Sequence, residues 1–365
     1  MDREEQMERK RKKADTLLLM IAISGEMPAN LPEKIVGSKS YAAALITELK
    51  KKRYVFLRYK DGLRGYVLGK RGKHYLLQSY RKEVVSYLTG ASETNHVKSE
   101  LEKRLRLHRM CQTWEYFFVH GNRIFSTEKP VIFTQDCFEK MFLGVYYGSL
   151  ELKQQVDRVK GSRACGLYVR NGETFVVYNS MENLMKWSKK METAMRCWVE
   201  RNMMQAGRTW EGKAILLGTS MELLKKIFFS NGGMRQELFQ IDDIYEKYYF
   251  VPEECEGSYL QVELLTDKQK GYTFSSFLNT TLDEVIKNDF SICAGTKNGI
   301  HAYFVYDLEL RKLQMVKQDI ERRGKGIVIC FDYQQNVLKD IYGREVKMMV
   351  LDYEKVKQYL ESIGK

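Results

Sequence analysis

Apolar and polar positions are most regular over residues 38–77, SKSYAAALITELKKKRYVFLRYKDGLRGYVLGKRGKHYLL. Ala42, Leu45, Ile46 and Leu49 recur at spacings of three and four, which predicts a helix with one buried face and Ser38 or Ser40 as its cap. Residues 54–59 then read as a strand, Asp61-Gly62 as a tight turn, and residues 65–68 as the returning strand of a β-hairpin. A short helix over about residues 71–79 closes this stretch. Upstream, residues 17–23 and 31–36 predict two further helices, interrupted at Gly25 and Pro28.

After Gly90 and the polar passage ASETN, a longer helix is expected over about residues 96–118, with Leu101, Leu105, Leu107, Met110, Trp114 and Phe117 as its apolar stripe. Its basic members Lys98, Lys103, Arg104, Arg106 and Arg109 read as a charged solvent face. From Gly161 onward short β runs alternate with helices, and the same order occurs twice. GLYVRNGETFVVYNSMENLMKW and ICAGTKNGIHAYFVYDLELRKLQMV match at Asn171-Gly172 and Asn298-Gly299, and again at Val177-Tyr178-Asn179 and Val305-Tyr306-Asp307. A helix is expected after each. GKAILLGTSMELLKKIF and GKGIVICFDYQQNVLKDIY then match as strand and helix, and each copy ends in a strand, near residues 248–251 and 346–351. Landmarks in one order point to an internal duplication, two similar α/β units facing each other as a pseudo-dimer. The expected division is 1–90, 91–150 as a helical connector, 151–257 and 258–365, in a mixed α+β chain of the α/β class.

Helix, hairpin and helix in this order resemble a winged-helix domain. YVLGKRGKHYLL is similar to the segment in which a wing strand leads into L-T-x-x-G and the next helix, with Gly69 in place of the usual Thr. The resemblance implies a recognition helix starting at Lys39, with Ser40 and Tyr41 near base edges and Lys60 and Arg64 on the wing beside phosphates. Arg53, Arg58, Lys70, Arg71 and Lys73 complete the set expected to face double-stranded DNA. Charge agrees with this: the first 90 residues hold 20 Lys and Arg against 10 Asp and Glu, which is most of the net +13. A winged helix used for protein contacts, with a solvated basic surface, would show the same pattern.

A chain of 365 residues is too long for one core and suggests two or three domains. The N-terminus carries four early acids and a seven-residue apolar run without a small-residue cleavage site, so a solvated helix start is expected and not a signal peptide. No run approaches a membrane span. Seven scattered cysteines without CxxC pairs read as buried free thiols of a cytoplasmic protein with no zinc site.

No Walker loop, GxGxxG opening or paired-His relaxase motif is present, and no cofactor is expected. Gly161-Ser162-Arg163 and Gly232-Gly233 read as loops, and His96, His108 and His120 as packing or surface residues. Tyr146-Tyr147 and Tyr248-Tyr249 lack the cations or metal motif that a nucleophilic tyrosine needs, and read as packing. Asp242-Asp243 and Glu253-Glu254 read as solvent-facing. The order hairpin, helix, strand is similar to the core of restriction-endonuclease-like nucleases, which hold Mg²⁺ with an acid on one strand and acid-x-Lys on the next. Phe175 to Asn179 offers no carboxylate and Tyr303 to Asp307 only Asp307, so these units would be degenerate and catalytically empty.

A winged helix, a helix and then this α/β arrangement resemble the replication-relaxation family of bacterial plasmids and integrative elements, most specifically over residues 16–118. The resemblance implies a noncatalytic DNA-binding accessory protein in replication or mobilisation. Its α/β half would assemble with itself or with a replication or transfer enzyme. A metal-dependent nuclease or nicking enzyme, and a winged-helix transcription regulator, are the alternatives.

Overall fold

The computed structural model describes residues 13–90, 99–139, 143–153, 156–233, 237–286, 288 and 291–363. The expected N-terminal helix start, the ASETN passage, and His96 and Lys98 at the head of the long helix lie outside the described residues. The chain divides into two compact units, residues up to 131 with 145–152, and 132–144 with 153–365. Residues 91–150, expected as a connector, are thus shared between the two.

In the first unit, α1 (Lys13–Ser24) is apolar enough to be surrounded, and Leu17, Leu18, Leu19, Met20 and Ile21 are all buried. The interruption at Gly25 and Pro28 holds a strand that no alternation could reveal at its length, β1 (Met27–Pro28), with its proline on a sheet edge. α2 (Leu31–Val36) has Pro32 in its first turn and stops at Gly37 with φ 82°. α3 (Lys39–Lys51) starts after Ser38, whose hydroxyl accepts the Tyr41 N–H, and buries Ala42, Leu45, Ile46 and Leu49, the set the spacing predicts. β2 (Val55–Lys60) and β3 (Leu63–Leu68) pair antiparallel around Asp61 and Gly62, whose positive φ angles of 54° and 75° suit a two-residue turn. The sheet order is β1-β3-β2.

α4 (Lys70–Ser79) and α5 (Arg81–Thr89) follow, the second without a counterpart in the expectation. The Tyr75 and Tyr80 hydroxyls both donate to the buried Asp15 carboxylate, at 2.8 and 2.9 Å, tying this pair to α1. α6 (Glu100–Val119) packs on α1, α2 and β1. Its expected stripe is displaced: Leu101 is exposed, while Arg104, His108, Cys111 and Glu115 are buried along with Trp114 and Phe117. Arg104 is therefore no part of a solvent face.

α7 (Gln135–Glu139), β4 (Val145–Gly148) and α8 (Ser149–Lys153) are short elements on the way to the second unit's sheets. There β5 (Gly166–Arg170), β6 (Glu173–Asn179), α9 (Lys189–Gln205), β7 (Lys213–Gly218), α10 (Met221–Phe228) and β8 (Lys247–Pro252) form the first copy. After α11 (Ser258–Thr266), α12 (Lys268–Thr280) and β9 (Glu284–Val285) comes the second: β10 (Gly295–Lys297), β11 (Ile300–Phe304), α13 (Leu310–Arg323), β12 (Gly326–Phe331), α14 (Gln335–Tyr342) and β13 (Val346–Leu351). α15 (Tyr353–Ile363) closes the described chain. Strands pair in the orders β5-β6-β7-β8 and β10-β11-β12-β13, the first pair antiparallel and the other two parallel in each. Both hairpins turn at Asn-Gly with left-handed φ, 51° and 78° at Asn171-Gly172 and 52° and 68° at Asn298-Gly299.

The copies differ where they join. Residues 180–187, expected to begin a helix, are a loop held by the Ser180 hydroxyl on the Asn183 carbonyl, and α9 starts only at Lys189. The outer edge of β8 is closed by the connection from β11 to α13: Phe250 N–H donates to the Leu308 carbonyl at 3.1 Å and Tyr248 N–H to the Glu309 carboxylate at 3.2 Å. Gln261 of α11 spans the join, donating to the Phe250 and Asp307 carbonyls, each at 2.7 Å. The equivalent helices α10 and α14 pack on each other and carry a Lys225–Asp340 ion pair of 2.7 Å. β13, the counterpart of β8, ends its sheet with Lys347 and Val350 exposed.

Five of the seven cysteines are buried and Cys255 half-buried, but Cys197 is exposed on α9, unlike the expectation for it. No helix among the described residues is long and apolar enough to cross a membrane.

Candidate nucleic-acid interface

The basic residues singled out by the sequence fall in three places. At the start of α3, Lys39, Ser40 and Tyr41 are all exposed, and Tyr41 is 48% exposed despite its size. At the other end of α3, about 18 Å away at 1.5 Å per residue, Arg53 is exposed in a left-handed backbone conformation (φ 58°). Lys70, Arg71 and Lys73, exposed in the first turn of α4, lie beside it. They are brought there by Gly72, where a Cβ would stand 2.3 Å from the Tyr54 carbonyl oxygen, so any side chain would push α4 off the α3–β2 connection. The third place is the wing.

Pairing across the wing separates residues that lie close together in sequence. Lys60 is opposite Leu63, and Arg64 is opposite Tyr59, so Lys60 and Arg64 point to opposite faces of the hairpin although both are exposed. Arg64 shares its face with Leu57, Tyr59 and Tyr66, and the Lys50 ammonium of α3 lies 5.1 Å from the centre of the Tyr66 ring. This face adjoins the last turn of α3. Tyr59 is 70% exposed there, a residue the charge-based reading passed over; its signal was an aromatic alternating outward across from an arginine.

The opposite face turns toward α6. There Arg58 pairs with Glu100 at 2.6 Å and stands 3.8 Å from Glu26, so its charge is matched within the unit. Beneath it is a fully buried ion cluster. Arg104 binds Glu26 through Nε and Nη2, at 3.0 and 2.6 Å, and His108 Nε2 meets the same carboxylate at 2.9 Å. The remaining Arg104 donors go to wing backbone: the Lys60 carbonyl at 2.7 Å, and the Arg58 and Leu63 carbonyls at 3.2 Å each. Burial pushes the Glu26 carboxyl up, but hydrogen bonds and charge from His108 and Arg104 outweigh it and hold the pKa at about 2. Glu26 reaches this spot only because Gly65 has no side chain, since a Cβ there would lie 2.2 Å from its Oε1. One arginine thus fixes both strands of the wing to α6, a role the sequence did not suggest because its partners are 78 residues away and backbone atoms.

In the α/β copies, Asp307 forms an ion pair with Lys312 at 2.9 Å, and Glu309 caps α13. Asp242 and Glu253, read as solvent-facing, instead accept from Trp187 Nε1 at 2.7 Å and Asn179 Nδ2 at 2.6 Å, while Asp243 and Glu254 are exposed, so each pair splits across the chain. Tyr146, Tyr147, Tyr248 and Tyr249 are buried. Among the described residues, no cluster of three or more His, Cys, Asp or Glu side chains could hold a metal ion. No protein-family model, curated protein or solved structure matches the chain.

Proposed function

We propose that the first unit binds double-stranded DNA through α3, the wing and the start of α4, and that the protein is a noncatalytic accessory factor. Its α/β half would serve assembly. The observation that carries this reading is the set of exposed cations Lys39, Arg53, Lys60, Arg64, Lys70, Arg71 and Lys73 on one small helix-and-hairpin frame, with Tyr41 and Tyr59 exposed among them. The resemblance to the replication-relaxation family adds the setting, replication or mobilisation of a plasmid or integrative element.

Binding of the full chain to short duplexes over a salt series tests this. Affinity should fall steeply with salt, and a Lys39→Ala/Arg64→Ala variant should bind more weakly with a slope shallower by about two phosphates' worth. Unchanged affinity of that variant at low salt, with the protein still folded, would remove the proposed role. Incubation of the same samples with Mg²⁺ should leave plasmid DNA uncut; cleavage lost in Asp307→Ala would favour the nuclease alternative.

A further inference from the structure

α9 carries two stripes at helical spacing. Glu192, Met195, Val199 and Met203 are buried. Beside them Ala194, Cys197, Trp198, Arg201, Asn202 and Gln205 line a groove of about 590 Å³, whose other wall is Val156, Arg158 and Val159. That wall is fixed to α9. The buried Glu192 carboxylate accepts the Ser162 hydroxyl at 2.6 Å and the Arg163 N–H at 2.8 Å, and the Lys153 ammonium donates to the Ser162 and Ala164 carbonyls, each at 2.9 Å. The groove is therefore formed in advance, and an occupant does not have to order its walls. Its surroundings are of one sign, whereas a helix face turned only to water commonly mixes both. Over residues 156–205 the exposed charges among the described residues are Arg158, Lys160, Lys186, Lys189, Lys190 and Arg201 against Glu182 alone. Glu200 is engaged with Arg196 at 3.9 Å, and neither Arg158 nor Arg201 has an ion pair among the described residues.

We infer that this groove is a second nucleic-acid site, one that holds a single strand. Arg158 and Arg201, one on each wall, present planar forks that suit phosphate oxygens. Between them Trp198 supplies an aromatic surface on which a base can stack, and Val156, Val159 and Ala194 supply apolar contact. Asn202 donates to the Trp198 carbonyl at 2.7 Å and keeps its amide oxygen as an acceptor, while Gln205 is exposed, so both can meet the edge of a base. Cations, a stacking surface and amides together match a strand whose bases are unpaired. A duplex keeps its base faces stacked inside, and an acidic peptide has no flat face to offer Trp198.

Cys197 gives the test a local readout, because it lines the groove and is the exposed thiol, the other six cysteines being buried or half-buried. Alkylation of the full-length protein by N-ethylmaleimide should slow severalfold at saturating oligothymidylate and stay unchanged with a mixed-sequence duplex. Arg158→Ala/Arg201→Ala, two exposed positions, should abolish that protection and weaken oligothymidylate binding about tenfold. Its slope of log affinity against log salt should be shallower by about 1.4, two contacts at ~0.7 each. Lys39→Ala/Arg64→Ala should leave the protection intact, so failure of the duplex-binding reading and failure of this one are told apart. No protection at saturation, or unchanged single-strand affinity in the Arg158→Ala/Arg201→Ala variant, would overturn the inference. Equal protection by the duplex or by polyglutamate would also overturn it, assigning the groove to duplex phosphates or to an acidic protein segment.

Discussion

Glu115 lies on the core side of α6 with 6% of its surface exposed, and burial pushes its pKa from the ordinary 4.5 to about 7, Lys34 only partly opposing. A carboxyl that holds its proton more tightly when folded contributes a stability that is lost as pH rises. Here the loss begins above pH 4.5 and is complete above about 7. Glu115→Gln should therefore stabilise the protein by ~2 kcal/mol at pH 8 and leave it nearly unchanged at pH 4.5. Urea midpoints at the two pH values check this, and equal effects at both would assign the change to packing. On the wing, the separation of Lys60 from Arg64 gives a second expectation. Arg64→Ala or Tyr59→Ala, on the face adjoining α3, should weaken duplex binding more than Lys60→Ala on the face turned to α6, in one fluorescence titration series. Equal losses would mean that both faces meet DNA.

The hairpin depends on Arg104 as an element, since that side chain grips the Arg58, Lys60 and Leu63 carbonyls and, if removed, leaves the buried Glu26 carboxylate with only His108 at 2.9 Å and Arg58 at 3.8 Å. Arg104→Met should cost about 3–5 kcal/mol, and Arg104→Met with Glu26→Gln distinctly less, because the second change removes a buried charge that has lost its bidentate partner. In the double variant, hydrogen exchange of wing amides should still rise, separating loss of the grip from loss of the fold. This cluster also marks where sequence stopped being informative. The α3 face and the Asp61-Gly62 turn were legible because each depends on local spacing or on one residue's φ. Arg104 and His108 were read as surface or packing residues because hydropathy assigns charge to the outside, whereas their partner Glu26 comes from a distant turn. β1 is too short, at two residues, to display a period, and α5 displays none because only Glu83 and Val84 of its nine residues are buried, so no apolar stripe marks it.

At the scale of the molecule, the repeated order of the α/β copies was visible in advance because both hairpins use Asn-Gly turns and both inner strands are continuous apolar runs. What the repeat did not disclose was that the copies are unequal, one outer strand enclosed and the other bare. The enclosure of β8 has a testable side. A chain ending at residue 300 keeps all of β8 but lacks Leu308 and Glu309, and should aggregate more readily than the full chain, as light scattering would show. It also sets a clock during synthesis. β8 is complete once Pro252 has been made, but its edge has no cover until Glu309 follows, which at ~5–20 residues per second is an interval of several seconds. Through that interval the nascent first copy carries an open strand. Neighbouring chains on one message would then present matching edges to one another, so translation speed between these two points bears directly on yield.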